Sequence, residues 1–219
     1  MPFRSQYKRS VMTLLPLHVA FVWILKSHPR MRVLGFAALT IGALVPDIEV
    51  LFSYLFGISV FCGWDFPCTL APDRLVLHSL VGALTLDVLL TFLIVKVIGL
   101  AKPERFGIFG FSNAKLNWKF YLSAATGSLS HIFIDWLHHA ANPIFWPFLL
   151  GQPPSYYVDG LLMPFMSLFA ASFFVAILAT VILIFVIVRA LANSSYSFSD
   201  LMLNPKMVLS LISQNLAKD

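Results

Sequence analysis

The sequence predicts an all-α membrane protein, a polytopic helical bundle with about four transmembrane spans and a short N-terminal helix. Two observations support this prediction. Hydrophobic residues make up 59% of the 219-residue chain and charged residues only 11%, a balance outside the usual range of soluble globular domains. The apolar residues also form several runs long enough to cross a bilayer as helices.

The apolar runs divide the chain into membrane segments and a tail. A short first run with basic residues at both ends either spans the membrane or lies partly within the bundle, and four longer runs are predicted as spans. In order, the runs are residues 10–26, 33–56, 75–100, 118–139 and 161–188. We expect residues 1–192 to form one membrane-embedded domain and residues 193–219 to form a cytoplasmic linker with an amphipathic tail.

The distribution of lysine and arginine predicts the orientation of the spans. Basic side chains are concentrated in two connections, residues 26–32 and 102–119, whereas residues 57–74 contain one arginine and residues 140–160 contain no basic residue. Basic connections remain on the cytoplasmic side of a membrane. The two poorly basic loops are therefore expected on the extracytoplasmic side.

The net charge and the two cysteines give limited information about partners and redox state. The net charge of +5 comes without a basic strip interleaved with aromatic residues outside the membrane, so no nucleic-acid partner is expected. Cys62 and Cys68 lie in the first predicted extracytoplasmic loop, and the sequence is compatible either with a disulfide between them or with a pair of free thiols.

One stretch of the third long run, Gly127–His139, contains three histidines and an aspartate in an otherwise apolar sequence. At about 100° per residue, Asp135 lies about 40° from His131, His138 about 20° on the other side and His139 about 80° away. One helical face would therefore present several metal-ligating atoms. Such side chains are costly in a membrane unless they are paired or bound. A His–Asp hydrogen bond within the helix is the alternative to a metal.

Ionisable side chains also interrupt the other apolar runs. No lysine or arginine lies deep in the same runs, so the acids must be protonated, hydrated or bound to a cation. Imidazoles mixed with carboxylates are typical ligands of zinc and other divalent transition metals. For the two acids that follow Pro46, a helix N-cap or a kink is the alternative. The ionisable residues that interrupt the other runs are His18, Asp47, Glu49, His78 and Asp87.

The order of these residues resembles that of a known group of proteins. The elements, in chain order, are His18; Pro46, Asp47 and Glu49; His78 and Ser79; Gly127, Ser130, His131 and Asp135; and Trp146 and Pro147. They resemble the membrane-bound metal-dependent hydrolases, whose ligand order is similar to that of zinc-dependent phospholipase C and P1 nuclease. The resemblance covers roughly residues 10–150. Val50 stands where some members have a further ligand, which leaves the number of metal ions open.

The resemblance implies hydrolysis of a phosphoester or related ester of a lipid or lipid-linked substrate by metal-activated water. One to three divalent ions are implied, zinc first and manganese or iron as alternatives. The implied ligands are His18, Asp47, His78, His131, Asp135 and His139. Asp47 and Glu49 are the catalytic candidates, and Glu49 is either a further ligand or the general base. The residues expected to support the ligands are Ser79, Ser130, Asp87 and His138; helical geometry alone would favour His138 over His139 as a ligand.

Two other functions are compatible with the same residues. A metal-ion or proton transporter could use the acids and histidines as a path, but it would need polar residues at several depths and usually shows paired halves. A structural membrane subunit would bind no metal. We expect the enzyme, in a cell membrane, with its metal site toward the extracytoplasmic side.

Overall fold

The computed structural model of this chain describes residues 16–26, 28–31, 33–56, 74–101, 114–139, 142–148 and 158–192. Over these ranges the chain is all-helical, as predicted, with no strand beyond an isolated bridge between Asn142 and Val158. The seven α-helices of the described ranges are α1 (Pro16–Lys26), α2 (Phe36–Gly42), α3 (Asp47–Phe56), α4 (Leu80–Leu84), α5 (Leu86–Ala101), α6 (Trp118–His138) and α7 (Leu168–Ala192). The predicted tail, residues 193–219, and the two cysteines lie outside the described residues.

The last helix is the one helix in the described ranges that is long and apolar enough to cross a membrane. Within α7, Phe169–Arg189 is an apolar stretch of 21 residues, which at about 1.5 Å per residue matches the hydrocarbon thickness of a bilayer. Phe173 and other large side chains of α7 point outward. The helix begins at Leu168, later than the predicted span 161–188, because turns occupy residues 161–165.

Two of the predicted spans are each built from two helices. Residues 33–56 are divided between α2 and α3 at Pro46, as the sequence predicts, because proline has no N–H to donate. Residues 75–100 are divided at Thr85, which the sequence does not predict. The Thr85 hydroxyl donates to the Val81 carbonyl at 2.6 Å, and its backbone is not helical. The described ranges therefore do not show the four membrane-length helices that the sequence predicts.

A glycine on each helix allows α2 and α6 to pack at very short range. A Cβ added to Gly127 would lie 2.8 Å from the Ala43 nitrogen, and one added to Gly42 would clash with the Ala124 backbone. The close approach brings the Ala43 carbonyl within 2.8 Å of the His131 ring. The glycines therefore set the distance between the end of α2 and the histidines of α6.

α1 packs on α7 with one side and carries a histidine into the interior with the other. Ala20 and Ala179 are fully buried in one apolar cluster, and Val22 and Val186 belong to another. These small and branched side chains let the two helices lie close together. His18, on the same helix, is 1% exposed and faces α6.

The segment before α7 closes the carboxyl end of α6. The backbone N–H groups of Leu161 and Leu162 donate to the carbonyls of Trp136 and Leu137 at 2.8 and 3.1 Å. The Trp136 indole in turn donates to the Asp159 carbonyl at 3.1 Å. These bonds satisfy carbonyls that a helix end leaves unpaired, and they hold the histidines at the end of α6 in place.

Candidate metal centre

The face of α6 that the helical period indicates is buried in the structure. His131 and His138 are fully buried and Asp135 is 2% exposed. The helix ends at His138, and His139 continues in an extended conformation with its N–H bonded to the Asp135 carbonyl at 2.8 Å. His139 lies four residues after Asp135, and its ring reaches the Asp135 carboxylate at 3.4 Å, a spacing that puts two side chains on the same side of a helix.

The carboxylate of Asp135 is the centre of a histidine cluster. The Nε2 atoms of His18 and His139 lie 3.5 and 3.4 Å from Oδ1. The Nε2 atoms of His78 and His131 each lie 3.5 Å from Oδ2. These four histidines come from α1, the residue after α6, the segment before α4, and α6 itself. The structure thus brings histidines from three separate parts of the sequence to one carboxylate.

His18 and Asp47 flank His131 within the cluster. The His18 and His131 rings are stacked, with centroids 3.7 Å apart, and Asp47 Oδ1 lies 3.7 Å from His131 Nε2. Asp47 is also the first residue of α3, where a carboxylate is favourable because of the helix dipole. Asp47 therefore stabilises the start of α3 and also contributes a carboxylate to the cluster.

Glu49 holds the segment that carries His78. Its Oε1 accepts a hydrogen bond from the Val76 N–H at 3.0 Å, and its Oε2 accepts one from the Leu77 N–H at 3.2 Å. Oε2 also lies 3.1 Å from His78 Nδ1, which leaves Nε2 directed at Asp135. Because both oxygens are engaged, the geometry favours a positioning role for Glu49 over the ligand or general-base role that the resemblance implies.

Hydrogen bonds at Nδ1 determine the ring orientation of two further histidines. His131 Nδ1 lies 2.8 Å from the Ala43 carbonyl oxygen, and His138 Nδ1 lies 2.8 Å from that of Ile134. A carbonyl only accepts, so Nδ1 carries the hydrogen and the lone pair of the neutral ring is on Nε2. Metal-binding histidines typically have this arrangement, in which an outer hydrogen bond selects the ligating nitrogen.

Arg74 contacts the same carboxylate, although the sequence pattern does not assign it to the site. Its Nη1 lies 3.0 Å from Asp135 Oδ2, and its side chain is 11% exposed. The prediction that no arginine or lysine neutralises the buried acids is therefore wrong for Asp135. One sequence signal could have revealed this contact: Arg74 is the single basic residue of the loop 57–74, four positions before His78.

Several buried polar atoms of the cluster have no hydrogen-bond partner among the described residues. They include both ring nitrogens of His18, Nε2 of His78 and of His131, and Oδ2 of Asp47. An unpaired buried polar group costs about 1–3 kcal/mol, and a shared cation would offset that cost.

Three overlapping groups in the described ranges could hold a metal ion, because one ligand atom from each member lies within 4.8 Å of the others. Imidazoles with carboxylates suit zinc or another divalent transition metal, so the residues fit the predicted metal. His138, predicted to support the ligands, belongs to one of the groups. The groups are His18, Asp47 and His131; His78, His131 and Asp135; and Asp135, His138 and His139.

The other residues predicted to support the ligands have different surroundings. Ser79 is the N-cap of α4: its Oγ accepts from the Gly82 N–H at 2.9 Å and donates to a backbone carbonyl. Asp87 is fully buried and accepts a hydrogen bond from the Ser128 hydroxyl. Ser130 is half-buried on α6. The structure therefore gives Ser79 a capping role and pairs Asp87 with a neighbouring helix.

Comparison with known proteins identifies the family of the chain. Residues 13–206 match the model of a family described as YdjM inner membrane protein, a range that includes α1 to α7 and the whole cluster. The comparisons with curated proteins and with solved structures give no match. The family description agrees with the predicted membrane location and names no activity, so hydrolysis stays a prediction. The chain belongs to the YdjM inner membrane protein family.

Proposed function

We propose that this protein is a membrane-embedded metal-dependent hydrolase that acts on a phosphoester or related ester of a lipid or lipid-linked substrate. The observation that supports it most directly is the convergence of four imidazoles on Asp135. The Nε2 atoms of His18, His78 and His131 have no hydrogen-bond partner in the described ranges. Metal sites in helical proteins are built in this way, from ligands on several facing segments.

The metal would be held by the three groups described above, of which the first two share His131 and the last two share Asp135. Zinc suits these ligands best, with manganese or iron as alternatives, and the overlap of the groups is compatible with one to three ions. When bound, such an ion would supply a Lewis acid that activates water and offsets negative charge on the substrate oxygens. The residues concerned are His18, Asp47, His78, His131, Asp135, His138 and His139.

Asp47 is the best-placed residue to accept a proton during hydrolysis. Its Oδ2 has no hydrogen-bond partner among the described residues, and its side chain is 15% exposed, compared with 3% for that of Asp135. Glu49 uses both of its oxygens to hold His78 and the preceding backbone. We therefore assign proton transfer to Asp47 Oδ2 and the positioning of His78 to Glu49.

The site would open toward the extracytoplasmic side of the membrane. Arg74 ends the poorly basic loop 57–74 and His78 follows it, and His139 precedes the loop 140–160, which has no basic residue. Loops of this composition lie opposite the cytoplasm. A lipid headgroup or lipid-linked phosphate would reach such a site by lateral diffusion, which supports a lipid substrate.

The transport alternative has less support from the described residues. Four of their imidazoles meet at one carboxylate, Asp135, instead of being distributed along the depth of the bundle. In addition, α7 contains no ionisable residue before Arg189. A conducting path usually needs polar groups at several depths.

Metal content measured on the purified full-length protein is the first test. We expect detergent-solubilised wild type to contain stoichiometric divalent metal by elemental analysis, and His131→Ala and Asp47→Ala to lose most of it. His28→Ala, at an exposed position after α1, is the matched control and should retain the metal. Wild type without stoichiometric metal would refute both the hydrolase and the metal-transport functions.

Hydrolysis is the second test and uses the metal-loaded protein. It is incubated with phospholipid and lipid phosphate in mixed micelles, and release of headgroup or phosphate is measured beside His131→Ala. We expect release by wild type and by His28→Ala only. Metal uptake into sealed vesicles without any release would favour the transporter.

A further inference from the structure

Arg74 brings a permanent positive charge to a cluster whose other members suit a metal cation. Its Nη1 lies 3.0 Å from Asp135 Oδ2, the oxygen that the Nε2 atoms of His78 and His131 approach at 3.5 Å. A guanidinium only donates hydrogen bonds and stays protonated, so it is not a metal ligand. Metal binding therefore does not explain why Arg74 is at this position.

A divalent ion bound at Asp135 Oδ2 together with His78 and His131 would lie a few ångströms from the Arg74 guanidinium. The acid nearest to His131 besides Asp135 is Asp47, and Glu49 is already engaged with backbone N–H groups. Two positive charges a few ångströms apart repel strongly where little water is present. An anion that contacts both charges would remove this repulsion, so the arrangement indicates a place for an anionic group.

The more accessible side chains of the cluster include Arg74 itself. Those of Asp47, Arg74 and His139 are 15%, 11% and 10% exposed, whereas those of His131 and Asp135 are 0% and 3% exposed. A ligand that enters from outside would therefore meet the guanidinium before it reached the centre.

We propose, on the basis of the hydrolase function above, that Arg74 binds the phosphate oxygens of the substrate and makes the site selective for phosphoesters over neutral esters. The planar fork of a guanidinium matches two phosphate oxygens, which a single point charge does not. When phosphate binds, the Arg74 guanidinium would pair with the phosphate instead of with Asp135, and the Asp135 carboxylate would then be available to a metal ion. The ligand chemistry is a phosphate ester, carried either by a lipid headgroup or by a water-soluble molecule.

Binding of inorganic phosphate to the metal-loaded, full-length protein tests this assignment. Calorimetry in detergent compares wild type, Arg74→Gln, Arg74→Lys and Arg30→Gln, the last an exposed arginine after α1 that serves as the control. We expect Arg74→Gln to weaken phosphate binding roughly 10- to 100-fold because a charge-assisted bond is lost. Arg74→Lys should have a smaller effect and Arg30→Gln none. Metal content of the same samples should equal that of wild type.

The possible results distinguish a failure of the Arg74 assignment from a failure of the hydrolase function on which it depends. If Arg74→Gln binds phosphate as tightly as wild type, or if it loses its metal, Arg74 is not the anion-binding residue. If wild type itself holds no metal, the hydrolase function fails, and this inference fails with it. Displacement of phosphate by glycerol phosphate identifies a soluble source of the phosphate ester, and displacement by phosphatidic acid in micelles identifies a lipid source. Either result supports the assignment if the displacement is lost in Arg74→Gln. If neither compound displaces phosphate, the assignment is overturned.

Discussion

Glu49 and His78 form a buried carboxylate–imidazole pair that connects the start of α3 to the segment before α4. Glu49 Oε2 lies 3.1 Å from His78 Nδ1, and the two residues are 4% and 2% exposed. The same carboxylate accepts the backbone N–H groups of Val76 and Leu77. One acid therefore anchors the backbone around His78 and orients its ring, so that Nε2 faces Asp135.

We expect Glu49→Gln to weaken metal binding about 10- to 100-fold, the usual effect of removing an outer hydrogen-bond partner of a metal-binding histidine. The glutamine keeps the size of the side chain but loses the charge that holds the His78 Nδ1 hydrogen. Metal titration of the solubilised protein measures the affinity. Asp159→Asn removes an exposed acid and is the control. Equal affinities in the two variants would contradict the positioning role.

Removal of metal should lower the thermal stability of the protein. A ligand that binds only the native state stabilises it by about 2.7 kcal/mol when its free concentration is 100 times Kd. We therefore expect a chelator to lower the Tm of wild type and added zinc to restore it. His131→Ala should melt at the same temperature with chelator or zinc. A Tm of wild type that does not respond to either addition would argue against a metal in the cluster.

Gly127→Ala should destabilise the fold by about 1–3 kcal/mol and reduce metal content, because the added methyl group would force α2 and α6 apart. The nearest atoms are backbone atoms of Leu39, Ala43 and Gly42, the Leu39 carbonyl oxygen first, and they cannot rotate away as a side chain can. Gly35→Ala is the matched control, since its added Cβ would be 3.7 Å from the nearest heavy atom, Ser123 Oγ. Thermal unfolding and elemental analysis report the two effects. Similar results for both alanine variants would show that the helix contact does not set the site geometry.

Labelling of introduced cysteines tests the orientation of the site. In a chain with Cys62 and Cys68 replaced by serine, Asp159→Cys should react with a membrane-impermeant maleimide in intact cells, because the loop that contains it is poorly basic. Lys115→Cys, in a basic connection, should react only after permeabilisation. Both positions are exposed in the structure. The opposite pattern would place the loop before α7 in the cytoplasm.

Local patterns predicted a substantial part of the site. The period of a helix placed His131, Asp135 and His138 on one face, and this face is buried in the structure. The period placed His139 about 80° from His131, but only about 40° from Asp135, and the structure joins His139 to Asp135. The break at Thr85 was missed because no proline or glycine occupies that position.

The sequence by itself determined the membrane class, most of the helical segments and the mixture of imidazoles with carboxylates, because hydropathy and helical period depend on neighbours along the chain. Only the tertiary structure decided which atoms meet. It pairs Glu49 with a histidine 29 residues away, the Ala43 carbonyl with His131 across 88 residues, and Arg74 with Asp135. These contacts depend on how closely whole helices approach, as at Gly127, and no spacing of residue types along the chain encodes that distance.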